Sequence, residues 1–460
     1  MEMEKQKAAD AVIEGVSSYI ASTGTGKLPQ EVIQKAKHHI LDTIAAMVSG
    51  SKLKPGKVAI DYVKGQGGAE EAQVAGSQVV TTAINAAFAN GMMAHADETD
   101  DSNGRARMHP GCSIISAALA TAEREGADGM RFLKGVVAGY DIGCRLTQAL
   151  EAKKLREKFR SSHCIGGNFG SATAAASISR LNSHQVRYVL SYAAQQAAGI
   201  TSLYHDEEHI QKAFVFAGMP ARNGVTAATL VQSGFTGVSD IFNGKENFFQ
   251  AFAATPSPNL DLLLQRLGSE FEIMFTNIKK FSVGSPIQAP LDALLLLIKK
   301  HDLKAEKVKS IIARLPEYTL NTIDNPDMPN INLQYILAVT LLDGDLSFEA
   351  AHSYGRMNDP AVLEVKRNIT LMGDPELSAA KIIRQGIVEI TTRDGSNLKE
   401  HVVSVRGTAE NPMTTEEVEK KCRELLTPVL GVDRAKKLIE AIWNLEKVNN
   451  VRALRPLMSA

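Results

Sequence analysis

The residues best suited to chemistry stand close together in the segment 90–117, NGMMAHADETDDSNGRARMHPGCSIISA. Imidazole and carboxylate side chains recur within a short span of it, at His95, Asp97, Glu98, Asp100, Asp101 and His109. The flanking sequence is Ala-rich and apolar, as in buried helices. Ionisable groups between buried helices are costly unless each is paired, solvated or used. The segment is therefore either a solvated acidic loop that ends in a Pro-Gly turn, or a site for acid–base chemistry.

A divalent cation is a further interpretation of the same carboxylates. Asp and Glu at short spacings supply the oxygen ligands that Mg²⁺ and Ca²⁺ take. However, the spacing does not fit an EF-hand loop, and Arg105 and Arg107 would repel a cation. We therefore predict no metal ligands here.

A second metal motif is the sequence HDEEH, which fits the H-x-x-E-H pattern. On a helix, His205 and His209 would share one face and could bind Zn²⁺, with Glu208 as the base. The motif keeps a metal-dependent hydrolase open as an alternative, although polar acidic runs are usually solvated.

His163 lies in KFRSSHCIGGNFGSA, where the sequence indicates the start of a helix. Backbone N–H groups at a helix N-terminus suit anions such as a carboxylate. A histidine beside them could act as an acid or a base near neutral pH. The alternative is a structural histidine that is hydrogen-bonded at the helix entry.

Two lysines, Lys212 and Lys279, are candidates for cations that hold a carboxylate substrate. Both lie near a presumed domain junction. The alternative for each is an ordinary solvated surface lysine.

These residues need a scaffold, and most of the chain predicts helices. Near residue 271 the pattern changes: residues 307–315 predict a strand, and residues 387–390 and 402–405 predict a hairpin around Asp394-Gly395. We predict a mainly α protein. Its large all-helical domain is built from both chain ends, 1–270 and 409–460, and a smaller α+β lid domain, 271–408, is inserted. The groove between domains is the expected ligand site.

Composition excludes several classes of protein. Lys+Arg and Asp+Glu both count 51, so bulk charge favours neither nucleic acid nor a membrane surface. The four cysteines are widely spaced without CxxC, which indicates reduced thiols in a cytosolic protein. No apolar run reaches the length of a membrane span, and the N-terminus has no apolar signal-peptide region. We therefore expect a cytoplasmic protein.

Several segments resemble the MmgE/PrpD family of dehydratases, decarboxylases and epimerases. They follow one another in family order over nearly the whole chain: HADETDD with MHPG, GYDIGCRL, SSHCIGGNFGSATAAA, AGMPARNGVTAA with SGFTG, and MPNINLQYILAVTLLDG. The resemblance implies a large helical domain, a smaller α+β lid and a homodimer. It also implies a small polycarboxylate substrate and no metal or organic cofactor.

The resemblance further implies a set of site residues. The positions that match the site of the family's decarboxylase are Glu98, Ser102, His109, His163, Lys212 and Lys279. The chain departs from that pattern in four places. Glu98 replaces Asp, Ser102 replaces Thr, and the gap before His109 carries Gly104, Arg105 and Arg107, where decarboxylases have an aromatic and different polar residues. The spacing from Lys212 to Arg222 is one residue longer than in some relatives.

The family reactions share one step, which moves a proton at a carbon next to a carboxylate or imine. That step needs a base within reach and positive charge or N–H donors where the enolate develops. The acid–base candidates are His163 and its partner His109. The expected carboxylate-holding cations are Lys212, Lys279 and, by our own inference, Arg105. The side chains expected to orient the histidines or bind substrate are Glu98, Asp101 and Ser102.

The expected function is a cofactor-independent lyase of the dehydratase type that acts on a small hydroxy-polycarboxylate. An epimerase or isomerase of a small dicarboxylate would use the same proton transfer. A decarboxylase and a non-catalytic helical binding module are further alternatives. The sequence does not distinguish the substrate, or which histidine is the acid and which the base.

Overall fold

The computed structural model describes residues 2–23, 26–382 and 384–460, and the chain divides into two compact units. The helical unit comprises the described residues up to Ala96, then Asp100–Thr276 and Glu417–Ala460. The α+β unit comprises Asp97–Thr99 and Asn277–Glu416. The acidic motif is thus divided between the two units. The sequence analysis expected only one insertion, at 271–408.

Apolar residues at helical spacing explain most of the helical unit. In the helix that follows Pro29, for example, Val32, Ala36, Ile40 and Ile44 are all buried. The helices of this unit are α1 (Glu2–Ser22), α2 (Gln30–Gly50), α3 (Lys54–Gln66), α4 (Ala83–Ala94), α5 (Pro110–Glu125), α6 (Gly129–Ala149), α7 (Ala152–Glu157), α8 (Ser162–Ile178), α9 (Ser183–Gln195), α10 (Ile210–Ala213), α11 (Met219–Gln232), α12 (Phe248–Phe252) and α13 (Asp261–Leu264).

Shorter pieces complete this unit. A π-helical turn, Phe214–Gly218, joins α10 to α11. The 3₁₀ turns are Thr201–His205, Glu272–Phe275, Leu445–Lys447 and Val451–Leu454. The strands β1 (Ala72–Gln73) and β2 (Val80–Thr81) form an antiparallel ribbon, so the prediction of an all-helical domain was wrong in this detail. β3 (Ser102–Asn103) is equally short, as is β4 (Thr276–Asn277), which lies at the unit boundary.

Close packing of α6 against α8 fixes the start of α8, where His163 lies. A Cβ added to Gly143 would lie 2.7 Å from the carbonyl oxygen of Gly166, so a larger residue would separate the two helices. Ile142 on α6 and Phe169 on α8 belong to the same buried core cluster.

The α+β unit is organised around a four-stranded mixed sheet of order β6-β5-β7-β8. β5 (Val308–Pro316) runs parallel to β6 (Ile369–Asp374) and antiparallel to β7 (Gly386–Thr392), which pairs with antiparallel β8 (Asn397–Val402). Its helices are α14 (Gln288–His301), α15 (Glu317–Ile323), α16 (Leu333–Asp343), α17 (Phe348–Ala351), α18 (Tyr354–Met357), α19 (Pro360–Lys366) and α20 (Pro375–Ala379), with 3₁₀ turns at Ser285–Ile287, Ala305–Lys307 and Pro329–Ile331. One core joins buried residues of α14, α16 and the sheet.

The C-terminal residues continue as α21 (Thr415–Leu430), α22 (Val432–Trp443) and α23 (Arg455–Met458). All but the start of α21 belong to the helical unit. This return to helix after the sheet is the order that the sequence analysis predicted.

The predicted strand at 307–315 and the hairpin turn at Asp394-Gly395 are confirmed, but the second hairpin strand was placed wrongly. Pairing resumes directly after the turn, with Thr391 opposite Asn397, and ends with Gly386 opposite Val402. β8 is rich in polar residues, which do not predict a strand. The predicted strand was placed instead on the apolar residues that follow β8. β6 was not predicted.

None of the helices in the described part of the chain combines the length and the apolar character that a bilayer-crossing segment needs. The four cysteines, Cys112, Cys144, Cys164 and Cys422, are buried free thiols.

Candidate active site

Aromatic and charged side chains of the helical unit gather around the ring of Phe216. The other members of this Phe216 cluster are His95, Asp100, His109 and His163. The Phe216 ring stacks on that of His163, with 3.6 Å between centroids and 14° between planes. It also stacks on the ring of His95, at 4.6 Å and 19°. The His109 centroid lies 5.2 Å from those of His95 and His163. The cluster thus brings together the predicted pair, His109 and His163.

The histidines of this cluster stand at helix ends, where backbone groups are available for hydrogen bonds. His95 follows α4, His109 precedes Pro110 of α5, and His163 lies in the first turn of α8. The backbone N–H of His109 donates to Nδ1 of His163 at 3.2 Å. The start of α5 therefore orients the imidazole at the start of α8.

Asp100 connects two of the histidines through its two oxygens. Oδ2 lies 2.9 Å from Nδ1 of His95, and Oδ1 lies 3.0 Å from Nδ1 of His109. Since a carboxylate accepts, each imidazole carries hydrogen on Nδ1 and its lone pair on Nε2 when neutral. The His95 side chain is fully buried, whereas that of His109 keeps 12% of its surface exposed. His109 is therefore the accessible base of this pair.

His163 has the opposite hydrogen-bonding pattern. Its Nδ1 accepts a backbone N–H, so its hydrogen is on Nε2. Burial lowers the pKa of His163 well below its usual value, and the neighbouring charges of His109, His95 and Lys212 lower it further. The ring is therefore neutral at pH 7 and presents an N–H donor.

Lys212 brings a positive charge to the same aromatic ring. It is partly buried on α10, with Nζ 5.5 Å from the Phe216 centroid. Its backbone N–H donates to Oδ2 of Asp206 at 2.8 Å, which fixes the turn before α10. A base, a neutral donor and a cation thus surround one ring.

Asp101 lies in a second cluster, although it follows Asp100 directly. Its carboxylate accepts from Nδ1 of His39 at 2.8 Å, the Tyr140 hydroxyl at 2.6 Å and the Gly111 N–H at 2.8 Å. These four residues form the Asp101 cluster, and all are buried. A Cβ on Gly111 would lie 2.9 Å from Cγ of Asp101, so only glycine allows this approach. Burial lowers the pKa of His39 to about 4, despite the hydrogen bond to Asp101.

Glu98 and Lys279 form a buried pair within the α+β unit. Nζ of Lys279 donates to the carbonyl oxygen of Glu98 at 2.8 Å and lies 3.2 Å from its Oε2. Nearby in sequence, Oδ2 of Asp97 lies 2.8 Å from Nε2 of His352. Burial is the largest single effect and opposes both charges, but the partner's charge and the hydrogen bonds to each group together outweigh it. The pKa of His352 is therefore raised and that of Asp97 is lowered.

The remaining predicted residues, Ser102 and Arg105, have different surroundings. Ser102 is buried at the start of β3. Arg105 lies over the Phe275 ring at 4.1 Å, and its NH2 nitrogen is 3.5 Å from carboxylate oxygens of both Glu270 and Glu272. The charge of Arg105 is thus compensated by protein carboxylates.

The H-x-x-E-H motif does not form a helix, so the hydrolase interpretation was wrong. His205 is exposed at the end of a 3₁₀ turn, and Glu208 is exposed and pairs with Lys54. His209 is buried with a left-handed φ of 61°, which breaks the helical spacing. A different trio, His95, Asp100 and His109, has ligand atoms within 4.8 Å of one another and could hold a metal ion.

Sequence reasoning noted His95 and Asp100 but gave neither a role, although their membership of the histidine-rich acidic motif was a usable signal. It missed His39, Tyr140, Phe216 and His352. Tyr140 lies in the conspicuous segment GYDIGCRL, whereas Phe216 stands in an ordinary apolar run. Nothing in that run indicates a stacking partner for two imidazoles.

Comparison with known proteins finds sequence similarity along nearly the whole chain. The sequence profile described as the MmgE/PrpD N-terminal domain matches residues 14–261, and that of the MmgE/PrpD C-terminal domain matches residues 281–447. A cis-aconitate decarboxylase of Homo sapiens is 24% identical over 97% of this chain and 94% of its own length. A cis-aconitate decarboxylase of Aspergillus terreus is 22% identical over 99% and 98%, respectively.

Proposed function

Because the chain belongs to the MmgE/PrpD family, we propose that it is a cofactor-independent lyase of the dehydratase type. Its substrate is a small hydroxy-polycarboxylate, and it moves a proton at the carbon next to a carboxylate. One observation carries this proposal: His109 donates from Nδ1 to Asp100, whereas His163 accepts at Nδ1. Two neighbouring imidazoles thus have complementary roles.

His109 is the general base in this mechanism. Its Nε2 takes the proton from the carbon, and Asp100 stabilises the imidazolium that forms. The same imidazolium then returns the proton to the leaving hydroxide, which departs as water while the carbon–carbon double bond forms. One histidine can therefore serve as base and then as acid.

His163 stabilises the negative charge that develops on the substrate carboxylate. A neutral imidazole N–H can donate a hydrogen bond to the enolate oxygen without losing its proton. The cation of Lys212, near the same Phe216 ring, holds a carboxylate. In the α+β unit, Lys279 is a second candidate for a carboxylate-holding cation, and its buried partner Glu98 orients it.

Decarboxylation of a small tricarboxylate is the second candidate, because both relatives named above are cis-aconitate decarboxylases. The proton on His109 would then be delivered to carbon as carbon dioxide leaves. The two reactions differ in the bond that breaks, and one assay separates them.

The test is proton NMR in D₂O with EDTA-treated protein and a panel of 2-methylcitrate, citrate, cis-aconitate and iminodisuccinate. We expect loss of water, and deuterium should enter at the carbon next to a carboxylate when the reverse reaction returns a proton from the D₂O-exchanged histidine to that carbon. Loss of carbon dioxide from cis-aconitate would select the decarboxylase, and exchange without elimination would select an epimerase. No reaction with any of the panel would contradict the proposal.

Variants assign the roles. We expect His109→Gln to lower the exchange rate about 1,000-fold and His163→Gln about 100-fold, since acid–base and oxyanion contacts are worth such factors. The matched control is His184→Gln, on the exposed face of α9, which should react normally.

If EDTA abolishes activity and Zn²⁺ restores it, the trio of His95, Asp100 and His109 acts instead as a metal site.

A further inference from the structure

We propose that Arg107 and Arg156 bind a second carboxylate of the substrate in a pocket beside His163. This inference rests on the proposed function, since it specifies the substrate of the same site. The pocket has a volume of about 50 Å³, which is room for one carboxylate group. The lining residues that matter lie in the helical unit: Arg107, Arg156, Arg160, Ser162, His163 and Tyr204.

The positive charge of this pocket has no counterion among the residues that the structure describes. In the ranges that the structure describes, no carboxylate lies within ion-pair distance of the three arginines. Arg160 donates to the carbonyl oxygens of Ala251 and Phe252 at 3.2 and 2.8 Å, and these are neutral acceptors. Arg156 lies over the Tyr204 ring at 4.7 Å. Neighbouring cations without an acidic partner favour an anion between them.

The conformation of Arg107 is a second, independent observation. Its φ is 49°, in the left-handed region where glycine is the usual residue. Its carbonyl oxygen accepts from the Ser162 hydroxyl at 2.6 Å, so the turn is attached to the residue before His163. The turn thus holds Arg107 next to the start of α8 and places this arginine in the lining of the pocket beside His163.

Arg105 provides an internal contrast. Both arginines lie in the segment before His109, and both depart from the pattern of the decarboxylases. Yet Arg105 faces the carboxylates of Glu270 and Glu272, whereas Arg107 faces the pocket. Of these two arginines, Arg107 is the one whose charge is not compensated by a protein carboxylate and is available to a ligand.

The pocket would select substrates with two separated carboxylates. One carboxylate lies next to the reacting carbon, and the other occupies the arginine pocket. Because this contact is made before and during the reaction, its loss should raise KM more than it lowers kcat. An inorganic anion such as phosphate could also bind to the arginines, so the experiment must distinguish a carboxylate ligand from inorganic phosphate.

The test is an NMR titration of the ring signals of His163, which the His163→Gln variant assigns. The probes are glutarate and butyrate, which differ by one carboxylate and are not dehydrated. We expect glutarate to bind the full-length protein about tenfold more tightly than butyrate. The difference should nearly disappear in Arg107→Gln and in Arg156→Gln, and Arg107→Lys should keep part of it.

Arg180→Gln is the matched control, because Arg180 is also exposed and has a φ of 54° but does not line the pocket. It should keep the full difference between glutarate and butyrate. Equal loss in this control, or an unchanged difference in both pocket variants, would overturn the proposal. So would arginine-dependent binding of inorganic phosphate without any preference for glutarate.

The titration is independent of the reaction. If wild-type protein prefers glutarate through these arginines but exchanges no proton with any substrate, the carboxylate pocket stands and the proposed reaction fails. If proton exchange occurs and the preference is absent, only the pocket fails. Thermal unfolding of each variant checks that the variant is folded at the temperature of the titration.

Discussion

The Phe216 cluster and the Asp101 cluster use the same kinds of side chain for different purposes. Each sets an aspartate against imidazole and an aromatic residue, and the two aspartates are adjacent in sequence. Asp101 and its partner His39 are sealed from solvent, and three protein donors occupy the carboxylate. Asp100 instead bridges two imidazoles, one of which reaches the surface. In the function that we propose, access to solvent, rather than residue type, separates the acid–base cluster from the one that supports the fold.

The largest effect that we expect comes from Asp100→Asn. The amide would place a donor against an imidazole Nδ1–H and favour the wrong tautomer, so the exchange rate should fall about 1,000-fold, or about 4 kcal/mol. The rate of deuterium entry measures this, and a rate near that of wild type would remove Asp100 from the mechanism.

Asp101→Asn should show the reverse pattern. An amide cannot accept from all three donors of the cluster, so the free energy of unfolding should fall by about 3 kcal/mol. Urea unfolding followed by circular dichroism measures the loss, and the rate per folded molecule should change little. The control is Asp302→Asn, whose side chain is 86% exposed. A large loss of rate without a loss of stability would place Asp101 in the mechanism.

A pH series tests the sealed histidine. Burial lowers the pKa of His39 to about 4 in the folded protein, against an ordinary value of 6.5. The unfolded chain therefore binds more protons between these values, and stability falls as the pH falls below about 6.5. From pH 7 to pH 5, wild-type protein should lose about 2 kcal/mol more than His39→Gln. Parallel stability curves would show that His39 is not neutral in the folded state.

The smallest effect that we expect is at His352. Its contribution to stability is lost as the pH rises, whereas that of His39 is lost as the pH falls. Its pKa is raised by Asp97 despite burial, so its stabilisation is present below the unfolded value and is lost as the pH rises through the folded one. His352→Gln should therefore cost more stability in mildly acidic than in mildly alkaline buffer. Urea titrations at both pH values measure the difference, and a cost that grows with pH would contradict the ion pair.

The sequence offered candidate residues for the site but not their hydrogen-bond partners. His109 and His163 could be chosen as acid–base candidates because imidazole titrates near neutrality, and the strand at 307–315 follows from its β-branched residues. The partners of Asp100, His95 and His109, lie 5 and 9 residues away, whereas His39 and Tyr140 lie 62 and 39 residues from Asp101, so the sequence does not show which of the two carboxylates is sealed from solvent. Gly111 and Tyr140 define one environment, and the ends of α4 and α5 define the other. Such assignments depend on tertiary packing, which no short pattern encodes.

The π-helical turn at Phe214–Gly218 determines which side chain lies between the histidines. A π turn holds one residue more than an α turn, and this one lies between Lys212 and Arg222. Removal of one residue from the turn would rotate the chain before it by about 100° relative to α11, so that the ring of Phe216 could no longer stack on both His95 and His163. The contact between this ring and the two imidazoles therefore depends on helix register as well as on packing.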